Sequence, residues 1–215
     1  MIIKMESQRY DSVTTCSRRV ACHQLCCYLI VLTLLATFFG LAVPRLPPKA
    51  QLVLALLQAI TTAVMLIATF LTSCTDPVDS VLLEYRNGNR NEVRRIARDC
   101  LFCESCKSYV KMESRHCKIC GRCVERFDHH CLWINNCIGE KNYPQFMVML
   151  CSAVLFCLLY ITGVGVLWGQ ADWHSFLAVM VVLWVCLSVT VILFILLTIL
   201  CILHVYLICN SLTTF

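Results

Sequence analysis

The sequence predicts an all-α membrane protein in which four transmembrane helices carry a small cysteine-rich domain between helices 2 and 3. Three observations predict it. Of 215 residues, 59% are hydrophobic and 14% charged, with a mean hydropathy of +0.74, whereas soluble domains are about 25% charged. The apolar residues fall into four blocks, each long enough for the roughly 20 helical residues that cross a bilayer. The charge gathers in one central segment that also holds a dense run of cysteines and histidines.

A polar N-terminal tail, 1–24, precedes the first block. That block, about Leu25 to Val43, runs into Pro44-Arg45 and not into a small-residue cleavage site, so it reads as a span and not as a cleaved signal. The second span covers about Ala50 to Ser73, with Gln51 and Gln58 as its main polar interruptions, so residues 25–73 hold helices 1 and 2. Residues 74–145 form the long polar loop, with the cysteine-rich domain at about 100–146. The third span runs from about Phe146 to Trp168. The fourth starts near Phe176 and stays apolar to Cys209, longer than one crossing needs, so its end around His204 is expected to emerge as a juxtamembrane helix. Helices 3 and 4 thus occupy 146–209, and 210–215 is the C-terminus. Apart from the two helical hairpins and the paired cysteines, no internal repeat is expected.

Four spans put both tails and the central loop on one side. Arg18 and Arg19 flank the first span there, and Arg86, Arg90, Arg126 and Lys141 belong to the loop. The opposite turns carry Arg45 and Lys49 in one and only Asp172 in the other. The charge bias places the loop in the cytosol, with Arg45 and Lys49 arguing weakly the other way. The spans hold almost no charged groups, which speaks against an ion or proton pathway. The net charge of +5 is modest and its basic residues are mixed with acids, so no nucleic-acid partner is expected.

Eighteen cysteines would suit a disulfide framework in a secreted chain. Here many stand in C-x2-C pairs beside histidines, which favours zinc and a reducing compartment. From Cys100 to Cys137 the candidate ligands are Cys100, Cys103, Cys106, Cys117, Cys120, Cys123, Cys131, Cys137, His116, His129 and His130. A structural zinc takes four, so two ions would use eight of these eleven and one ion would leave seven unexplained. Two structural zinc ions are therefore the economical reading. Spacing alone leaves Cys100-x2-Cys103 as a competing pair, and either of His129 and His130 as a ligand. Metal binding would supply much of the segment's folding free energy, on the order of 10 kcal/mol per site.

The ordered run Cys103-x2-Cys106-x9-His116-Cys117-x2-Cys120-x2-Cys123-x4-Asp128-His129-His130-Cys131-x5-Cys137-x4-Asn142-x3-Phe146 resembles the cysteine-rich domain of the DHHC protein S-acyltransferases. The four-span layout is similar too, and Asp76-Pro77 resembles the family's Asp-Pro-Gly motif, with Val78 in place of the glycine. The resemblance implies that Cys103, Cys106, His116 and Cys123 hold one zinc, and Cys117, Cys120, His130 and Cys137 the other. Cys100, His129 and Cys131 are left over.

It further implies a two-step reaction. Cys131 takes a long-chain acyl group, palmitoyl above all, from the co-substrate acyl-CoA and passes it to membrane-proximal cysteines of substrate proteins. His129 is the expected base and Asp128 the acid that orients it, as in hydrolase triads. Arg115, Lys118, Arg122 and Arg126 are candidates for the CoA phosphates, against the alternative of a solvated basic face. Within the lipid bilayer the helices would form a tent that holds the acyl tail; Phe156 and Tyr160 could floor such a cavity but are expected rather to pack against a neighbouring helix, and Trp133 suits the interface. An endomembrane address, Golgi or endoplasmic reticulum, is expected over the plasma membrane, with the active site and both termini cytosolic. A zinc-stabilised membrane scaffold without turnover is the alternative.

Two departures stand out. Leu132 occupies the place of the family's usual proline, which removes a backbone restraint but no reacting group. Thr213-Thr214-Phe215 matches the first three positions of a Thr-Thr-x-Glu motif that the resemblance implies braces Asp128, and the sequence stops where the glutamate would stand. A truncated C-terminus is therefore expected, and full activity is not counted on. Cys16, Cys22, Cys26 and Cys27, beside the first span, are possible acyl acceptors. Cys151, Cys157, Cys186 and Cys201 are expected to pack as small apolar residues. His23, His174 and His204 are expected at the membrane interface without a catalytic role.

Overall fold

A computed structural model describes residues 21–89, 93, 97–169 and 177–214. Cys16, Arg18, Arg19, Arg90, Asp172 and His174 lie outside the described residues. The described chain is mostly helical, with a cysteine-rich sheet region between its second and third long helices. It forms two compact units. One comprises Leu71–Pro144 with 212–214, the other Cys22–Phe70 with Gln145–Ser211.

Four helices are long and apolar enough to cross a membrane: Cys22–Arg45, Pro48–Cys74, Tyr143–Trp168 and Leu177–Cys209. The first consists of α1, Cys22–Thr37, a π-helical turn at Phe38–Ala42 and a 3-10 turn at Val43–Arg45. Pro47 forces Leu46 out of the helical region, to φ −77° and ψ 155°, which ends the span. Pro48, whose missing N–H costs nothing at a first helical position, opens α2 at Pro48–Cys74. The short helix α3, Ser80–Arg86, is capped by Asp79, whose side chain accepts from the Leu82 N–H at 2.8 Å. The last two spans are α4, Tyr143–Trp168, and α5, Leu177–Cys209. At 33 residues α5 is continuous through His204, about 50 Å at 1.5 Å per residue and well beyond a hydrocarbon core of about 30 Å.

The core of the helical unit is built on Leu34, Phe38, Phe156, Tyr160, Val164 and Leu183. The π-helical turn places Phe38 against Gly163, where a Cβ would stand 2.6 Å from the ring, so only glycine admits this approach. Tyr160 packs on Phe38 at 5.6 Å between centroids and shares a 2.9 Å hydrogen bond with the Thr37 hydroxyl. His204 lies near the C-terminal end of α5. It is 1% exposed and meets the Phe146 ring edge-to-face at 5.0 Å.

The cysteine-rich region consists of three two-stranded antiparallel hairpins. They pair β1 (Cys100–Cys103) with β2 (Ser108–Lys111), β3 (Arg115–Cys117) with β4 (Arg122–Val124), and β5 (His129–Cys131) with β6 (Asn136–Ile138). Beyond the paired cysteines the sequence suggested no repeat here, but the hairpins are one motif with a 14-residue period. Their first strands end at Cys103, Cys117 and Cys131, and their second strands start at Ser108, Arg122 and Asn136. Each connecting turn closes on a left-handed residue, Lys107 at φ 51°, Gly121 at 64° and Asn135 at 50°. The Cα partners Phe102–Tyr109, His116–Cys123 and His130–Cys137 are equivalent pairs.

Candidate functional site

Two groups of side chains in the hairpins could each hold a metal ion: Cys103, Cys106, His116 and Cys123, and Cys117, Cys120, His130 and Cys137. Within each group the ligand atoms all lie within 4.8 Å of one another. His116 Nδ1 stands 3.8, 3.3 and 3.9 Å from the sulfurs of Cys103, Cys106 and Cys123. His130 Nδ1 stands 3.9, 3.3 and 3.6 Å from those of Cys117, Cys120 and Cys137. The Cys106 thiol is lowered to about 5, chiefly by its hydrogen bond with Cys123, and hydrogen bonds with Cys120 and Cys137 lower Cys117 further. The same hydrogen bonds raise the partner thiols, Cys123 through Cys106 and Cys137 through Cys117 and Cys120, so each group holds its protons in common.

The repeat explains how the groups are shared. A knuckle contributes its two cysteines to one group, and the cross-strand His–Cys pair of the next hairpin completes it. The third knuckle begins with Cys131, but Ile134, 3% exposed, stands where the first two have Cys106 and Cys120. Cys131 therefore occupies a ligand position in the repeat and belongs to neither group.

Strand alternation then separates the neighbours of Cys131. Side chains two apart on β5 share a face, so His129 and Cys131 point one way and His130 the other, toward the second group. Asp128 is 2% exposed, and its Oδ2 accepts from His129 Nδ1 at 2.7 Å. Its Oδ1 accepts the Thr214 backbone N–H at 2.8 Å, and the Thr214 hydroxyl donates to the Asp128 carbonyl at 2.7 Å. Burial alone would raise the Asp128 carboxyl, but the bonds from His129 and Thr214 outweigh it and hold the carboxyl below its usual range. Burial likewise pulls the His129 imidazole down, while hydrogen bonds to Asp128 and Cys131 lift it to about 9. Cys131 itself is 7% exposed.

A family-wide sequence profile described as DHHC palmitoyltransferase matches residues 98–215, more than half of the chain. The chain belongs to the DHHC palmitoyltransferase family. Among similar proteins, the "Probable protein S-acyltransferase 1" of Arabidopsis thaliana is 35% identical over 115 residues, 53% of this chain and 34% of that protein. "Probable protein S-acyltransferase 15" of the same plant is 33% identical over 139 residues, 60% of this chain and 49% of that protein. "Palmitoyltransferase erf2" of Schizosaccharomyces pombe is 40% identical over 75 residues, 35% of this chain and 21% of that protein. The chain spans at most 49% of the length of these relatives.

The basic residues of this DHHC domain divide. Arg115, Lys118 and Arg126 are exposed, with Arg126 facing Glu113 at 3.4 Å. Arg122 corrects the expectation that it joins them. Its side chain is 1% exposed and pairs with Asp76 at 2.6 Å, because in the repeat it starts a second strand and anchors that hairpin to the segment after α2. A guanidinium held inside by a carboxylate cannot also reach a CoA phosphate. Cys100, the remaining thiol, lies half-buried on β1, apart from both groups.

Sequence reasoning missed Asn136. Opposite Cys131 in the ladder and fully buried, it donates its amide to the carbonyls of Thr72, Ser73 and Thr75 at 3.1, 3.1 and 2.9 Å, and accepts from the Cys137 N–H at 2.9 Å. Asn142 adds bonds to the Thr72 and Cys137 carbonyls. Together they fasten the third hairpin to the C-terminal end of α2. The only signal in the sequence was the 14-residue offset of Asn136 from Arg122.

Proposed function

We propose that this chain is a protein-cysteine S-acyltransferase that moves a long-chain acyl group, palmitoyl above all, from acyl-CoA through acyl-Cys131 to cysteines of substrate proteins. The observation that carries the reading is that Cys131, alone in its knuckle, shares a strand face with His129, whose other ring nitrogen is held by a buried carboxylate. Supporting it, the relatives named above are called S-acyltransferases and a palmitoyltransferase.

Two structural zinc ions fit the donor sets. Zinc–sulfur bonds of about 2.3 Å and zinc–nitrogen bonds of about 2.0–2.1 Å at tetrahedral angles separate S from N by about 3.6 Å, and the six Sγ–Nδ1 separations run from 3.3 to 3.9 Å. Bound zinc would supply folding free energy and fix the loop, with no part in the transfer itself.

In the first half-reaction His129 holds the proton of Cys131, and the thiolate attacks the acyl-CoA carbonyl. As the carbon–sulfur bond to CoA breaks, the proton passes from His129 to the departing CoA sulfur. In the second, the thiolate of a substrate cysteine attacks acyl-Cys131, and the Cys131 sulfur leaves with the electron pair. Each half exchanges one thioester for another. Asp128 keeps Nδ1 protonated, so that Nε2 is the nitrogen that works, and it stabilises the imidazolium. Arg115, Lys118 and Arg126, all exposed, would take the CoA phosphates. The chain works in an endomembrane, Golgi or endoplasmic reticulum, with the hairpins and both termini on the cytosolic side.

The test is Cys131→Ser with labelled palmitoyl-CoA. It should abolish hydroxylamine-sensitive labelling of Cys131 and leave the bound metal unchanged. Thioester labelling of the same peptide in that variant would sink the assignment.

A further inference from the structure

The first two turns of α1 carry three thiols, Cys22, Cys26 and Cys27, that the transfer chemistry leaves unused. Cys22 and Cys26 are exposed and Cys27 is half-buried. Directly along the helix from Cys26 lies a groove of about 270 Å³ between α1 and α5. Its walls are Leu29, Ile30, Thr33 and Leu34 on one side and Val185, Cys186 and Val189 on the other. Residues 29, 30, 33 and 34 follow residue 26 at i+3, i+4, i+7 and i+8, so Cys26 heads the helix stripe that forms this wall. The groove is apolar apart from the Cys186 thiol and the Thr33 hydroxyl, which already donates to the Leu29 carbonyl at 2.8 Å.

We infer that Cys26 is an S-acylation site of this protein, and that its acyl chain lies in the α1–α5 groove. The inference rests on the acyltransferase reading above. A Cα–Cβ bond in a helix tilts toward the N-terminus, so the Cys26 sulfur points to the start of the span while the chain attached to it can turn down the stripe. Cys26 lies four residues into the helix, about 6 Å along its axis from Cys22, in the first turns of the candidate span. A chain that crosses at α1 and returns at α2 leaves its first turn and its hairpins on one membrane side. The Cys26 thiolate attacks the carbonyl carbon of acyl-Cys131. A carbon–sulfur bond to Cys26 forms, that to Cys131 breaks, and the Cys131 sulfur takes the electron pair and the proton that Cys26 gave up. One thioester replaces another, so no oxidant or further reactant is needed. Burial of the acyl chain in the groove favours retention there over return to Cys131.

The experiment incubates the purified full chain in lipid nanodiscs with labelled palmitoyl-CoA. It then chases with unlabelled palmitoyl-CoA and follows hydroxylamine-labile label on each cysteine peptide. Cys131 should label first and exchange during the chase, and Cys26 should label later and keep its label. Cys26→Ala should lose the persistent label with Cys131 labelling unchanged, and Cys131→Ser should leave Cys26 unlabelled. Thr33→Trp and Val189→Trp, which fill the groove from opposite walls, should slow labelling of Cys26 by about tenfold, the equivalent of about two methylenes kept out of an apolar site. Labelling of Cys131 reports that these variants are folded. A labelled Cys131 beside an unlabelled Cys26, or label on Cys22 in its place, overturns the inference and leaves the acyltransferase reading standing. Equal labelling of Cys26 in Cys131→Ser overturns the transfer, and unaltered labelling in both groove variants overturns the groove. An unlabelled Cys131 overturns both the inference and the reading on which it rests.

Discussion

Thr214 grips Asp128 from two sides across 86 residues of chain, its backbone N–H on Oδ1 at 2.8 Å and its hydroxyl on the carbonyl at 2.7 Å. The carboxylate is thereby oriented while its other oxygen remains on His129 Nδ1. Thr214→Val keeps the shape and the backbone donor and removes only the hydroxyl bond. A buried neutral hydrogen bond contributes about 1 kcal/mol, so autoacylation should slow by roughly fivefold at unchanged metal content. A variant as fast as the parent would mean that the hydroxyl does not position Asp128.

The division among the basic residues makes a second prediction. Arg115→Ala and Arg126→Ala should raise the KM for acyl-CoA with little effect on thermal stability, and the effect should shrink at high salt, as for exposed charges. Arg122→Ala should do the reverse. Losing one member of a buried ion pair costs about 3–5 kcal/mol. Asp76 keeps some contact with water, so about 2 kcal/mol is expected here. Thermal unfolding and acyl-CoA titration, run side by side on the three variants, separate these outcomes. A higher KM without destabilisation in Arg122→Ala would contradict the burial.

The shared arrangement of the metal groups predicts unequal effects of single ligand losses. His116 and Cys123 of the second hairpin complete the first group, and Cys117 and Cys120 of the same hairpin begin the second. Cys137→Ala should therefore drop bound zinc from about two to about one per chain and abolish autoacylation, because His130, the neighbour of His129, loses its anchor. Cys103→Ala should also cost one zinc but leave the His130 group assembled, and so retain measurable autoacylation. Metal analysis paired with labelling decides this. Equal loss of activity in both would mean that the hairpins fold only as a unit.

Much of this was legible in the sequence, and what escaped it did so for physical reasons. Four apolar blocks are enough to mark four long helices, because composition alone decides what a bilayer tolerates. The two groups of four candidate ligands were readable only through resemblance, since spacing left Cys100 and His129 as rivals. Pairing in hairpins keeps both out of the two cysteine groups: Cys100 lies at the far end of its strand from the knuckle, and His129 points to the opposite face from His130. The 14-residue period was hidden because Phe102, Tyr109 and Ile134 stand where the other hairpins have ligands. Arg122 looks in sequence like Arg126, and only the ladder places one inside and the other outside.

Asn136 offers the sharpest test of how the Cys131 hairpin is held. Its amide nitrogen faces three carbonyl oxygens, those of Thr72, Ser73 and Thr75, while its Oδ1 serves the Cys137 N–H. Asn136→Ala leaves these groups without their partner, at a cost of about 1–3 kcal/mol. Asn136→Asp preserves the shape and the acceptor but turns a carboxylate oxygen toward the three carbonyls. Charge set against oxygen dipoles in a buried site is worse than a missing donor. Asp should therefore be the more destabilising replacement despite being nearly isosteric, in thermal unfolding and in autoacylation rate alike. If the Asp variant proved the more stable of the two, the amide would not be donating to the end of α2, and another contact would have to hold the nucleophile in place.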